Sequence, residues 1–149
     1  MALKKGATAP EFNLKSTGAK SIDSTKELKG KAFVLYIYPK DFTKVCTAEA
    51  CEFRDQFEAF RNLDIPVFGI SKDDIETHNR FKKEHKLPFD LLSDPSGKVC
   101  KSYDALIPLI KMPKRITYLI DKDHKIAAAF SDMFESKGHI DAMLKSLQK

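Results

Sequence analysis

Two cysteines five positions apart, Cys46 and Cys51, are the residues of this chain best suited to covalent chemistry. They lie in the segment YPKDFTKVCTAEAC, where an apolar, strand-like run gives way to a helix-like one. We therefore expect Cys46 in the first turn of a helix, where free backbone N–H groups and the helix dipole favour the thiolate over the thiol. Lys44, two residues earlier, adds a positive charge. The pattern predicts a reactive thiol at the start of a helix.

A thiolate alone does not make an efficient enzyme, because positioned donors must also orient a substrate and stabilise its developing charge. Three nearby or downstream side chains are candidates for this role. Thr43 is three residues before Cys46, where its hydroxyl is a candidate both to lie beside the sulfur and to cap the helix, and the two roles are compatible. Arg115, at the start of RITYLID, is able to bring a guanidinium from a neighbouring strand. Pro39 fixes the loop and shields one side of the cysteine from water.

Two further charged residues have two interpretations each. Arg54 follows Cys46 by two helical turns and competes with Arg115 for the same role, unless it only pairs with its neighbour Asp55. Glu49 either forms a hydrogen bond within the site and holds Arg115, or is a solvated carboxylate of the first helical turn. Both pairs of interpretations stay open at this point.

The apolar pattern predicts the elements that must position these side chains. Near-continuous apolar runs at 32–38 and 65–71 indicate two strands buried on both faces. Between them, steps of three and four residues predict one helix with an apolar face of Ala50, Phe53, Phe57 and Phe60. The other predicted elements are an N-terminal hairpin around 16–18, a polar helix in DDIETHNRFKKEHK, a short strand in FDLLSDPSG, a short helix in KVCKSYDA, a hairpin of RITYLID with KIAAAF, and a last helix at 136–149.

This order of elements is typical of an α/β sandwich with a mixed central sheet and an N-terminal β-hairpin. In such folds ligands bind where a strand ends and a helix begins, which is where the two cysteines fall. The length of 149 residues suits one domain, 1–149.

Composition and charge limit the classes of protein that the chain can represent. It has 42% hydrophobic and 32% charged residues, as ordinary globular proteins do. The start of the chain lacks the long apolar segment of a secretory signal, so we expect a cytoplasmic protein, where cysteines stay reduced unless they do redox chemistry or bind metal. The net charge of +5 arises from lysines spread among acidic residues, which argues against specific nucleic-acid binding.

The spacing P-x-x-x-T-x-x-C, formed by Pro39, Thr43 and Cys46, resembles the active-site signature of the peroxiredoxins. YPKDFTKVCTAEACEFRD is most similar to the subgroup called bacterioferritin comigratory protein or peroxiredoxin Q, in which a second cysteine follows the first by five residues. APEFNL, FGISKD, LLSDPSGKV and RITYLID resemble family segments in family order, so the resemblance covers nearly the whole chain. One departure is Lys44-Val45, which stands where the subgroup usually has Pro-Gly.

The resemblance implies a thioredoxin-like three-layer sandwich and the reduction of hydrogen peroxide and organic hydroperoxides. It implies that Cys46 attacks the O–O bond and becomes a sulfenic acid, while Thr43 and Arg115 bind the peroxide. Pro39 and Glu49 are expected to belong to the substrate pocket. Cys51 then forms a disulfide with Cys46, which a thioredoxin-type or glutaredoxin-type donor reduces. A monomer without metal or other cofactor is expected.

Helix geometry places a condition on this disulfide. Residues five apart on an α-helix have Cα atoms about 8–9 Å apart, whereas a disulfide needs less than about 7 Å. We therefore expect the first turns of the helix to unwind when Cys46 and Cys51 are oxidised.

Three other functions are alternatives at this stage. They are a one-cysteine peroxidase, in which an external thiol attacks the sulfenic acid, a peroxide sensor that binds a partner protein, and a basic nucleic-acid-binding module. The third cysteine, Cys100, is interpreted as buried packing. The spacing of the cysteines and histidines does not suit a structural zinc site.

Overall fold

A seven-stranded mixed sheet, which is not closed into a barrel, forms the centre of the fold. The structure is a computed structural model and describes residues 2–18 and 20–131. The predicted last helix at 136–149 lies outside the described residues. The strands are β1 (Asn13–Ser16), β2 (Ser21–Asp23), β3 (Phe33–Ile37), β4 (Val67–Ser71), β5 (Asp90–Ser93), β6 (Ile116–Ile120) and β7 (Ile126–Ser131), and their order in the sheet is β2-β1-β5-β4-β3-β6-β7.

Strand β3 is an interior strand of this sheet, between β4 and β6, and determines where the functional residues meet. It pairs with β4 in parallel and with β6 antiparallel. In the antiparallel pair Ile37, the last residue of β3, lies opposite Ile116, the first residue of β6. Because of this register, the loop that leaves β3 and the residue that precedes β6 lie at the same edge of the sheet.

The four described helices are α1 (Lys44–Asp55), α2 (Phe57–Asn62), α3 (Ile75–His85) and α4 (Lys98–Ser102). The prediction of one helix through α1 and α2 was wrong, because the helix is interrupted at Gln56. Gln56 has φ −101° and ψ 7°, outside helical values, and its N–H bonds to the Glu52 and Arg54 carbonyls. The break also changes the predicted apolar face. Phe53 and Phe60 are fully buried, whereas Phe57 is half-buried.

The side chains of β3 alternate between two apolar cores, one on each face of the sheet. Phe33 and its odd-numbered neighbours join a core with α4 and the N-terminal segment. Val34 and its even-numbered neighbours join a core with α1 and α3, and this second core includes Cys46. The α/β sandwich with a mixed central sheet, predicted from the order of strands and helices, is confirmed. Of the helices in 2–18 and 20–131, none has the length and apolar character that crossing a bilayer needs.

Candidate active site

Cys46 is the third residue of α1, immediately beyond the loop that leaves β3. Its side chain is 1% exposed and packs in the core that contains Tyr36 and Phe53. Thr43 occupies the N-cap position of α1. The thiol is therefore placed at the positive end of a 12-residue helix, as the sequence predicts.

Arg115 crosses from the sheet to reach this thiol. Arg115 directly precedes β6 and is buried, with only 3% of the residue exposed. One terminal nitrogen, Nη2, donates to the Cys46 sulfur at 2.9 Å, and the other, Nη1, donates to Glu49 Oε1 at 2.6 Å. The two contacts join residues that are 69 and 66 positions apart in the chain. Antiparallel pairing of β3 with β6 brings them together.

The charges of this cluster support one another. Burial alone lowers the pKa of Arg115, but the nearby Glu49 and Cys46 outweigh it, and the net direction is upward. Arg115 is thus a fixed cation that touches the sulfur. A cation in this position stabilises a thiolate, because their attraction and hydrogen bond partly offset the hydration that both groups lose on burial.

A third nitrogen of Arg115, Nε, differs from Nη1 and Nη2 in its hydrogen bonding. Its Nε–H is buried and has no hydrogen-bond partner within the described residues. Buried donors of this kind are uncommon, and they are found at sites that bind a ligand or a water molecule. The guanidinium that contacts the Cys46 sulfur through Nη2 thus keeps one donor, Nε–H, without a partner among the described residues.

Glu49 is the buried partner of Arg115 and not a solvated carboxylate. It is one helical turn after Cys46 and fully enclosed. Burial raises the pKa of Glu49 to about 7, although Arg115 acts in the opposite direction. The carboxyl group therefore changes its charge near neutral pH, while an ordinary glutamate does so near 4.5.

Replacing Glu49 by glutamine should change how stability depends on pH. Between pH 4.5 and pH 7 the unfolded chain loses this proton and the folded chain keeps it, so the fold loses stability as pH rises. The loss amounts to about 3 kcal/mol once pH exceeds 7. Urea unfolding at pH 4.5 and 7.5 gives the free energy of unfolding of each protein. Between these two pH values it should fall by about 3 kcal/mol more in the wild type than in Glu49→Gln. Parallel pH profiles would contradict the assignment.

The structure places Thr43 and Pro39 at the edge of the site. The Thr43 side chain is exposed, and its hydroxyl donates to the Lys40 carbonyl at 2.8 Å. It makes no side-chain capping bond to the helix. Its predicted contact with the peroxide stays a prediction. Pro39 is half-buried and lines a groove of about 240 Å³ together with Lys40, Met112 and Pro113.

Cys51 lies on α1 and faces α3. It is half-buried, and its sulfur is 3.9 Å from Nδ1 of His85, the last residue of α3. Arg54 donates to the His85 carbonyl oxygen at 2.8 Å and to Asp55 at 3.0 Å. The geometry thus separates the two arginines, because Arg115 contacts Cys46 whereas Arg54 joins α1 to α3 beside Cys51.

A buried ionic cluster lies beneath the loop between β3 and α1. Asp41 accepts hydrogen bonds from the Tyr38 hydroxyl at 2.5 Å and pairs with His78 Nδ1 at 2.6 Å. The other ring nitrogen of His78 is 2.9 Å from the Leu92 carbonyl oxygen. Both ring nitrogens face acceptors, so the pattern is that of an imidazolium paired with a carboxylate. Asp41 and His78 are both buried.

Asp41, His78 and His85 are not among the site residues predicted from the sequence. A signal for His78 existed, because it precedes the buried Phe81 by three residues and so falls on the buried face of α3. Nothing in the sequence indicated that His85 faces Cys51. The interpretation of Cys100 as buried packing agrees with the structure, since the residue is fully buried and burial raises the pKa of its thiol far above the ordinary range.

Comparisons with known proteins agree with this geometry. Residues 5–129 match the AhpC/TSA family. The chloroplastic peroxiredoxin Q of Sedum lineare is 42% identical over 145 residues, which are 97% of this chain and 77% of the relative. That of Gentiana triflora is 40% identical over 147 residues, which are 98% of this chain and 67% of the relative.

Solved structures share the whole described fold. Peroxidoxin BcpB from Mycobacterium tuberculosis superposes with a TM-score of 0.91 at 32% identity, covering 98% of this chain and 97% of that one. A mutant of PrxQ from Xylella fastidiosa superposes with a TM-score of 0.88 at 26% identity, covering 99% and 97%. The predicted thioredoxin-like fold is confirmed. Since the family match spans most of the sequence and includes the cysteine–arginine site, the chain belongs to the AhpC/TSA family of peroxiredoxins, in the group named peroxiredoxin Q.

Proposed function

We propose that the chain reduces hydroperoxides in a two-cysteine cycle, with Cys46 as the attacking thiol and Cys51 as the resolving thiol. Membership of the peroxiredoxin Q group makes the chain a thiol-dependent peroxidase. The observation that supports Cys46 as the attacking residue is its 2.9 Å contact with Arg115 at the start of α1.

In the first step the Cys46 thiolate attacks one oxygen of the peroxide. The S–O bond forms as the O–O bond breaks, and the second oxygen leaves as hydroxide or alkoxide and takes up a proton. Negative charge moves from sulfur to the leaving oxygen during this step. Arg115 is placed to follow that charge, because Nη2 contacts the sulfur while the buried Nε–H is available to an oxygen.

In the second step the Cys51 thiol attacks the sulfur of the sulfenic acid. The S–S bond forms, the S–O bond breaks, and the hydroxyl group leaves as water. In the structure α1 is continuous from Lys44 to Asp55, and both cysteines are free thiols. The predicted separation of about 8–9 Å on such a helix exceeds the disulfide limit, so the turns around Cys46 have to open first.

Exchanging each cysteine for serine tests the cycle. Cys46→Ser should abolish peroxide consumption, since no nucleophile replaces the thiolate. Cys51→Ser should still consume one equivalent of peroxide and then stop with a thioredoxin-type reductant, leaving a sulfenic acid that dimedone traps. Wild type should lose two hydrogens by intact mass. Sustained, undiminished turnover of Cys51→Ser with thioredoxin would contradict the two-cysteine mechanism and indicate a one-cysteine peroxidase.

His85 is well placed to assist the second step. Its Nδ1 lies 3.9 Å from the Cys51 sulfur, and Phe81 packs edge-on against its ring at 4.9 Å between centroids. A neutral imidazole in this position accepts the proton that Cys51 loses when it attacks. Arg54 holds the carboxyl end of α3 to α1, so this half of α1 stays anchored while the turns around Cys46 open.

His85→Gln should therefore slow disulfide formation and leave the peroxide step unchanged. We expect the first-order rate of resolution to fall about tenfold or more at pH 7, since general-base assistance contributes at least that much. The rate should recover at high pH, where the thiol ionises without a base. Dimedone trapping at timed intervals measures the step. Lys83→Gln, an exposed change on the same helix, is the matched control, and equal rates in the two variants would exclude a role for His85.

The reductant, the oligomeric state and the compartment complete the proposal. We propose a thioredoxin-type or glutaredoxin-type donor, a monomer and a cytoplasmic location, as predicted from the sequence. Coupled assays with each donor and light scattering of the reduced protein test the first two.

A further inference from the structure

The loop of residues 106–113, here called the apolar loop, presents large apolar side chains to solvent directly before Arg115. Leu109 is 96% exposed, Ile110 is 63% exposed and Met112 is 38% exposed. In the part of the chain that the structure describes, five large apolar side chains are exposed, and these three lie within four consecutive positions. A concentration of this kind on a soluble domain marks a binding surface more often than scattered single residues do.

Backbone hydrogen bonds fix the apolar side chains in this outward position. Ile107 N–H donates to the Met112 carbonyl at 2.8 Å, and Lys111 N–H donates to the Ile107 carbonyl at the same distance. A bridge between Leu106 and Pro113 closes the base of the loop. The loop is thus a closed turn that holds its tip away from the core, and a surface held ready in this way binds with little further loss of conformational entropy.

The apolar loop forms one wall of the groove beside the site. The opposite wall is Pro39 and Lys40, which belong to the loop leading to Cys46. Lys72 crosses the groove, and its Nζ donates to the Lys111 carbonyl at 3.0 Å. Three lysines, Lys40, Lys72 and Lys111, line this groove together with Ile110 and Met112 of the apolar loop, and Asp73 is the acidic residue that lines it.

We propose that the apolar loop is the docking surface for the protein that reduces the oxidised enzyme, and that this partner presents an apolar face bordered by acidic residues. The inference rests on the proposed two-cysteine function, in which a protein reductant has to reach the disulfide of Cys46 and Cys51 in every cycle. The charge of the surface supplies the complementarity, since Lys40, Lys72 and Lys111 favour an acidic partner and accelerate its approach.

A protein partner fits these observations better than a lipid bilayer. The tip carries aliphatic side chains, whereas interfacial membrane anchors are rich in aromatic residues. A bilayer covering the groove would also block the aqueous reductant from the cysteines. A protein with a complementary apolar patch buries the same side chains and dissociates once the disulfide is reduced. A few apolar residues are enough to anchor a transient interface of this kind.

The test separates the reductive step from the peroxide step. The probes are a bacterial thioredoxin and a glutaredoxin, each with its recycling system, with dithiothreitol as the small-molecule reductant. In Leu109→Ser/Ile110→Ser the KM for the protein reductant should rise about tenfold, which corresponds to loss of one well-buried apolar anchor. The kcat at saturation, turnover with dithiothreitol, and the rates of oxidation by hydrogen peroxide and cumene hydroperoxide should stay unchanged.

Two further variants sharpen the result. Leu63→Ser is the control, since Leu63 is also an exposed leucine, 40% exposed. It precedes β4 and therefore lies at the opposite end of the sheet, so KM should stay unchanged. Lys111→Glu should raise KM and weaken its dependence on salt, because it removes part of the electrostatic attraction.

Several outcomes would overturn the proposal. An unchanged KM in the double variant excludes docking on the apolar loop. Slower oxidation by cumene hydroperoxide alone assigns the loop to the substrate, and Leu109-dependent sedimentation with anionic vesicles assigns it to a membrane. Turnover of the wild type with dithiothreitol but with neither protein excludes a reductant of this class. Lack of turnover with dithiothreitol as well contradicts the proposed function itself, so the two failures are distinguishable.

Discussion

Replacing Arg115 by lysine should slow the oxidation of Cys46 by hydrogen peroxide by about a hundredfold or more, as removal of a transition-state donor does in other enzymes. Lysine keeps the positive charge but not the planar fork of donors. Arg115 uses that fork for three tasks, since Nη1 bonds to Glu49, Nη2 bonds to the Cys46 sulfur, and the buried Nε–H is available to a third atom. A single ammonium group does not reproduce this geometry.

The measurement uses the reduced protein without any reductant. Because the chain has no tryptophan, quenched samples are alkylated and the oxidised fraction is followed by intact mass. Arg54→Lys is the matched control, since it makes the same exchange on α1 beside Cys51 and away from Cys46. Arg54→Lys should oxidise at the wild-type rate. If the two variants are oxidised at the same rate, the contact between Arg115 and the sulfur does not contribute to the chemistry.

Arg115 and Arg54 show which features of the site can be predicted from the sequence and which cannot. Both arginines were candidates from the sequence. Arg54 is close to Cys46 along α1, whereas Arg115 reaches Cys46 only if its strand pairs with the strand that precedes the cysteine. The apolar runs predicted β3 and β6 correctly, and the antiparallel register that brings Ile37 opposite Ile116 then places Arg115 at the site. Sequence predicted the elements, but the register that selects one arginine is a property of the assembled sheet.

Other features could not be predicted because they depend on helix packing and on single rotamers. Spacing of three and four residues continues through Gln56, so the end of α1 at this position could not be predicted. The Thr43 hydroxyl is near enough in sequence to contact the sulfur, yet its rotamer directs it to the Lys40 carbonyl. His85 faces Cys51 only because α3 packs along α1, and the pairing of His78 with Asp41 depends on the same packing.

That pairing leads to the second large expected effect, on stability. Asp41→Ala should lower the free energy of unfolding by about 3–5 kcal/mol, because it leaves the His78 imidazolium buried without its counter-ion. For a chain of this length such a loss lowers Tm by about 10 °C. Thermal and urea unfolding measure it. Asp55→Ala is the control, since it breaks the exposed pair with Arg54, whose side chains are 34% and 63% exposed, and should cost less than about 1 kcal/mol.

The double variant Asp41→Ala/His78→Leu separates loss of the counter-ion from loss of packing. Leucine fills much of the space of the imidazole and carries no charge, so the double variant should regain a large part of the stability that Asp41→Ala loses. If packing of the Asp41 side chain were the cause, the second change would add to the first, and a double variant less stable than either single variant would show this. The same pair holds the loop that carries Pro39 and leads to Cys46. Asp41→Ala should therefore also slow oxidation of Cys46, whereas the control Asp55→Ala should leave it unchanged.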